Sequence, residues 1–251
     1  MNEFRYPVTE DLSGLRRLWK LAFGESGAFV DLFFDRAFSS CRCRVAVTDG
    51  ELSGMLYWFD CELSGKKVAY LYAVATDPAF QGRGIASGLL RDTNEYLRER
   101  GYSAAVLVPV TADLFPFYER LGYRTGGRIR ETLVSPGKSV SVRRISREEF
   151  AALRKRYLPE KGIRQEGENL ALLSGYAEFY AGDDFTAVVA REPKPICLEL
   201  LGGDCGPELA AALGVPELTV RMPGAGRDFA MGLSLEPGGL PEKFYLGLAF
   251  D

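Results

Sequence analysis

The stretch from Val68 to Ser87 constrains this chain more than any other. Val68 to Thr76 is an apolar, β-branched and aromatic run of strand type, and Asp77-Pro78 interrupts it. Gly82-Arg83-Gly84 then leads into a segment where Ile85, Leu89, Leu90, Tyr96 and Leu97 line one helical face, while Arg91, Asp92, Glu95 and Arg98 take the other. Gly101 ends that helix. A strand delivered through a glycine turn into a long amphipathic helix is a unit of an α/β fold, and it leaves the first N–H groups of the helix unpaired. Gly82 and Gly84 admit backbone conformations closed to other residues and leave room for a ligand. Such donors suit an anion, and a pyrophosphate is the natural guest. Arg83 could add a charged contact or could simply be solvated. A dinucleotide fingerprint would need a third glycine where Ser87 stands, and no G-x-x-x-x-G-K-[ST] occurs. Taken alone, the glycine pair is equally a tight strand-to-helix connection.

Around this unit the pattern is mixed α/β. Leu12, Leu15, Leu18, Trp19, Ala22 and Phe23 recur at helical spacing behind Thr9 as a plausible cap, and a second helix covers 28–38. Strands are expected over 44–48, 52–61 and 68–76, with Asp49-Gly50 and Ser64-Gly65 as hairpin turns. Ala104 to Val108 reads as another strand, Leu114 to Leu121 as a short helix closed by Gly122, and a strand follows. After a linker, Ser146-Arg147-Glu148-Glu149 has capping-box spacing before Phe150, Leu153 and Tyr157. Laying those three over Leu12, Leu15 and Trp19 also superimposes Glu10-Asp11 on Glu148-Glu149 and Arg5 on Arg143, an internal repeat that hints at a duplicated opening. Beyond it a helix over 170–180, strands over 185–191 and 196–201, a helix over 208–213 and three strand-like runs are expected.

Composition excludes whole mechanisms. The 251 residues contain no histidine, which removes a Ser-His-Asp triad, a Cys-His pair and every histidine metal site. The formal net charge of -3 offers no global field for a nucleic-acid backbone. Cys41, Cys43, Cys61, Cys197 and Cys205 are odd in number and irregular in spacing, so no complete disulfide framework exists and a reducing compartment is favoured. No apolar run approaches 18 residues and the N-terminus has no leader pattern, so a soluble cytoplasmic protein is the expectation.

Read together, Val74-Ala-Thr-Asp-Pro-Ala-Phe-Gln81-x-x-Gly84-x-Ala86 resembles motif A of the GNAT acyltransferase superfamily, in which Q/R-x-x-G-x-G/A binds the pyrophosphate of acetyl-CoA. Phe117-Tyr118-Glu119-Arg120-Leu121-Gly122-Tyr123 is similar to that family's F-Y-x-x-x-G-F motif, and one helix and one strand separate the two, as in the family. The resemblance covers about residues 4 to 140. Ala86 replaces the commoner final glycine, Tyr123 replaces Phe, and Thr111 stands where many members carry Asn. The resemblance implies an α/β fold with a mixed sheet, a GNAT domain over 1–140, and a second, smaller, degenerate GNAT-like domain over 145–251. Arg221-x-x-Gly224-x-Gly226 satisfies the letter of the phosphate motif, but the alternating residues after it read as a strand, so no helix N-terminus is available there.

Acetyl-CoA is the implied co-substrate, with no metal. Its binding residues, carried over position by position, are Val74, Ala75, Thr76, Gln81, Gly82, Arg83, Gly84, Ile85, Ala86 and Ser87. The resemblance further implies that the strand through Val74 carries a bulge and splays from the 104–108 strand, with the N–H near Val74 facing the thioester carbonyl. Tyr118 matches the position that often protonates the departing sulfur, although its spacing alone is equally that of a core tyrosine. The general base stays open among Asp60, Glu62, a water beside Tyr72 and the terminal carboxylate of Asp251. Cys61 is an acyl carrier or a buried structural thiol. The function implied is acetyl transfer to a primary amine by direct attack in a ternary complex. The alternative is a catalytically silent acyl-CoA sensor or scaffold. The expected partner is a small-molecule amine, a cationic one such as a polyamine or aminoglycoside being weakly favoured by net acidity, with no nucleic acid and no membrane; the oligomeric state stays open.

Overall fold

The computed structural model describes residues 2–138 and 140–250. Its elements in chain order are β1 (Asn2–Arg5), α1 (Leu12–Phe23), α2 (Gly27–Arg36), β2 (Cys43–Thr48), β3 (Glu51–Leu63), β4 (Lys66–Thr76), α3 (Ile85–Glu99), β5 (Ala104–Leu107), α4 (Phe115–Glu119) and β6 (Arg124–Val134). There follow β7 (Arg143–Ile145), α5 (Arg147–Tyr157), β8 (Arg164–Gln165), α6 (Glu168–Leu173), β9 (Ala177–Ala181), β10 (Phe185–Ala190), β11 (Ile196–Gly202), α7 (Gly206–Leu213), β12 (Leu218–Pro223) and β13 (Arg227–Ser234). Among the described residues these strands form one mixed sheet ordered β1-β2-β3-β4-β5-β13-β6-β12-β11-β10-β9-β7, with β8 added to β3. The expected α/β class with a mixed sheet is what the chain adopts.

Helices cover both faces, and the central strands have the matching alternation. On β3, Tyr57 and Phe59 face the core under α1 and α2 with Leu15, Trp19 and Phe33, whereas Leu56 and Trp58 face the core under α3 and α4 with Leu89, Leu90 and Tyr123. A strand buried on both faces needs a nearly continuous apolar run, and residues 53–59 are all buried. No helix of the described residues is long and apolar enough to cross a membrane.

The internal repeat has a structural counterpart at the two ends of this sheet. Edge strand β1 leads into α1, and Arg5 grips Asp11 at 2.6 and 3.1 Å. Edge strand β7 leads into α5, and Arg143 grips Glu149 through the same two-pronged contact. Ser146 caps α5, its hydroxyl accepting from Glu149 N at 3.1 Å. Thr9, expected to cap the first helix, instead lies in a 3-10 turn, and Asp11 closes that turn by accepting from Val8 N at 2.7 Å.

The halves are joined in one sheet. β13 lies between β5 and β6, antiparallel to both, with Met231 opposite Leu107 and Arg227 opposite Ile129. Two expectations need correction. The helix expected over 170–180 stops at Leu173, because the chain turns at Gly175 and Ala177–Ala181 finds strand partners in β7 and β10, with Phe179 stacked on Phe150 at 4.6 Å. The last strand-like run is an extended tail held by isolated bridges, Gly127 to Phe244 and Gly162 to Tyr245.

Candidate active site

Two adjoining clefts open where β4 and β5 part. Parallel pairing runs from Val68 with Ala104 to Tyr70 with Val106 and ends there, so beyond Tyr70 the backbone has no strand partner on that side among the described residues. The register against β3 slips between Tyr72 and Ala75, and within that slip Ala73 is held at φ 51°, a left-handed conformation that a non-glycine residue adopts at a cost of about 1–3 kcal/mol. The bulge and splay implied by the resemblance are both present.

The first cleft, about 640 Å³, lies at the N-terminal end of α3. Gly82 and Gly84 both sit at φ 75°, and a Cβ on either would meet no atom within 4 Å. Gly84 precedes the first helical residue, and the first intrahelical bond is Gly88 N to Gly84 O at 2.9 Å, so the amides of Ile85, Ala86 and Ser87 precede the ladder. Gln81, Gly82, Gly84, Ile85, Ala86 and Ser87 all line this cleft. Arg83 does not; its guanidinium lies over the Phe80 ring at 5.2 Å. The cationic side chains on the wall are Arg91 and Arg120, which sequence reasoning did not single out. Their signals were present: Arg91 lies two turns beyond Gly84 on the polar face, and Arg120 stands inside the Phe117 to Tyr123 motif.

The second cleft, about 670 Å³, lies between α1, the bulged end of β4 and the chain tail. Val74, Thr76, Gln81, Leu114 and Tyr118 line both clefts, and Ala75 lines the second. Tyr118 is therefore at the junction. It is 7% exposed, and burial raises its phenol to about 12, so it holds its proton across the neutral range. Thr76 Oγ1 is buried with no hydrogen-bond partner among the described residues. Asp77 fixes the rim: its carboxylate accepts from Ala79 N at 3.0 Å and pairs with Arg17 of α1 at 3.0 Å. Tyr123, the departure from the family's Phe, donates its buried hydroxyl to Asn94 Oδ1 on α3 at 2.8 Å.

The base candidates divide. Tyr72 lines the second cleft. Asp60 and Glu62 do not; Asp60 is held by Tyr102 and Arg42, and Glu62 pairs with Arg164. Asp251 lies outside the described residues. Cys61 is 8% exposed and burial drives its thiol upward, away from thiolate chemistry, as expected of a structural cysteine. The Arg221 to Gly226 run is the end of β12 and the turn that leads into β13 on the other side of β6, so a strand and not a helix follows it.

Residues 3–126 match the family model described as acetyltransferase (GNAT) domain. The chain carries a GNAT domain. Glucosamine 6-phosphate N-acetyltransferase of Trypanosoma brucei brucei is 34% identical to it over 64 residues, 26% of this chain. That match spans 43% of the relative, less than half its length. Solved structures extend the likeness beyond the GNAT domain. A GCN5-related N-acetyltransferase from Kribbella flavida superimposes with a TM-score of 0.73 at 18% identity over 95% of this chain and 72% of that one. One from Anabaena variabilis gives 0.76 at 13% identity over 95% and 74%. At such identities the shared property is the fold, and it includes the C-terminal half.

Proposed function

We propose that this chain is an acetyl-CoA-dependent N-acetyltransferase that passes the acetyl group to a primary amine by direct attack in a ternary complex. One observation carries the reading: an anion-ready helix start opens through Tyr118 onto the bulged end of β4, beyond the point where its pairing with β5 stops. The residues present fit the co-substrate. Open space at Gly82 and Gly84 leaves the amides of 82–87 accessible to a diphosphate, Arg91 and Arg120 supply positive charge beside them, and the unpaired edge of β4 with the orphaned Thr76 hydroxyl suits an amide-bearing arm.

When bound, acetyl-CoA supplies an activated acyl group. The chain supplies the rest. The Val74 N–H, on the strand edge freed by the bulge, offers a hydrogen bond to the acyl oxygen, and one such donor contributes on the order of 3 kcal/mol to lowering the barrier. Tyr118, protonated and at the junction of the clefts, donates its phenolic proton to the departing sulfur as the carbon–sulfur bond breaks, and the proton that the attacking nitrogen sheds on becoming an amide restores the phenol through solvent. Residues 1–140 hold this machinery as the GNAT domain, and residues 145–251 are its GNAT-like companion, which adds β13 and the tail wall.

The test is isothermal calorimetry of coenzyme A with the full chain, beside a thiol-release assay over primary amines. Saturable binding and amine-dependent thiol release are expected. Gly84→Val forces a β-branched residue to φ 75° and crowds the phosphate site, so a Kd at least tenfold weaker is expected. Binding unaffected by that change refutes the phosphate site, and binding without thiol release for any amine leaves an acyl-CoA sensor.

A further inference from the structure

The described residues lining the second cleft form an aromatic chamber with little charge. Trp19 and Phe23 come from α1, Tyr70 and Tyr72 from β4, and Phe250 from the tail. Trp19 and Tyr72 meet edge to face at 5.5 Å, and Phe250 meets Tyr72 at 5.5 Å and Tyr70 at 5.8 Å. These rings belong to one continuous core with Phe33 and Phe59, which fixes their positions before any ligand arrives. The outer wall adds Val108 and the 69% exposed Val110. Among the described residues lining the chamber, the exposed Glu25 in the connection between α1 and α2 is the only carboxylate.

Net acidity of the whole chain weakly favours a cationic acceptor, and the described lining of the chamber bears on how many charges such an acceptor carries. A polyamine or aminoglycoside brings several ammonium groups, each needing a counter-charge or water when confined. Among the described residues of the lining, one carboxylate and a set of rings are available. A single ammonium can be met by Glu25 or by a ring face, and the remaining wall rewards apolar, flat surface.

Resting on the acetyl-transfer reading above, we infer that the acceptor is a primary monoamine carried on an aromatic or comparably flat apolar body, seated among Trp19, Tyr72 and Phe250.

The experiment measures binding of 2-phenylethylamine and of spermidine to the full chain saturated with coenzyme A, by calorimetry, with thiol release measured in parallel. Phenylethylamine is expected to bind at least tenfold more tightly. Phe250→Ala is expected to weaken phenylethylamine at least fivefold with spermidine and coenzyme A little changed. Val110→Asp, a surface change that adds a second carboxylate to the wall, is expected to narrow the ratio at least threefold in favour of spermidine. Spermidine binding as tightly as phenylethylamine or tighter, or no binding of phenylethylamine to a chain that does bind coenzyme A, overturns the inference and leaves the acetyl-transfer reading standing. Failure of coenzyme A itself to bind overturns that underlying reading instead.

Discussion

Tyr118 shows how burial alone keeps a phenol protonated. An ordinary phenol titrates near pH 10, and desolvation moves this one to about 12, so the donor form is retained through the whole working range. The sign follows: an acid whose neutral form is favoured is lost only as pH rises through the raised value. Turnover should therefore show no alkaline fall centred near pH 10, and a pH profile of kcat checks this. Tyr118→Phe keeps the ring and its edge contact with Tyr123 while deleting the proton. Steady-state assays should show kcat lowered at least tenfold with the coenzyme A affinity unchanged; an unaltered kcat removes Tyr118 from the chemistry. The neighbouring motif residue has a different duty. Tyr123 is buried against Asn94, so its hydroxyl serves the packing of α3 rather than the cleft.

Among the elements, the tail is held most deliberately. Gln165 of β8 is fully buried; its amide nitrogen donates to Leu248 O, and its Oε1 accepts from Leu248 N at 3.2 Å and Arg154 Nη2 at 3.4 Å. Arg154 is in turn locked to Glu199 at 2.7 and 3.0 Å, both buried. This chain of contacts sets Leu248, and two residues on it sets Phe250, whose N–H donates to Tyr70 Oη at 3.4 Å. Gln165 is thus a positioning residue for the acceptor wall. Gln165→Leu leaves both Leu248 backbone groups unpaired, about 1–3 kcal/mol for each orphan. A lower melting temperature and an acceptor KM raised severalfold are expected, with KM for acetyl-CoA unchanged because the phosphate cleft lies at the start of α3. A parallel rise in both KM values contradicts the assignment.

At the scale of the whole molecule, β13 decides how the halves depend on one another. β5 and β6 are the fifth and sixth strands in chain order, yet they do not pair; a strand supplied about 100 residues later fills the gap, and β12 covers the other side of β6. A chain ending at Val142 would expose the edge of β5 and both edges of β6. Such a truncation should give no cooperative thermal transition by circular dichroism and should aggregate on size exclusion, whereas a sharp transition would show the first half to be self-sufficient.

Local pattern was enough for most of the first half. The strand, glycine turn and amphipathic helix from Val68 to Glu99 were legible because adjacent residues impose periodicity, turn geometry and unpaired helix amides without help from the rest of the chain. The matched openings at Arg5 and Arg143 were legible for the same reason, since each ion pair closes within six residues. Where a contact joins distant segments, the sequence is silent, because pairing partners, cleft walls and charge neighbours depend on loop closure and burial over long separations. So only the tertiary structure turned Arg83 onto Phe80 and left Arg91 and Arg120 on the wall of the cleft at the start of α3. It alone turned residues 177–181 into a strand and set Asp60 and Glu62 apart from the cleft. The same long-range packing brought Phe250 beside Tyr72, some 180 residues away in the chain, to complete an aromatic cleft that no local pattern announces.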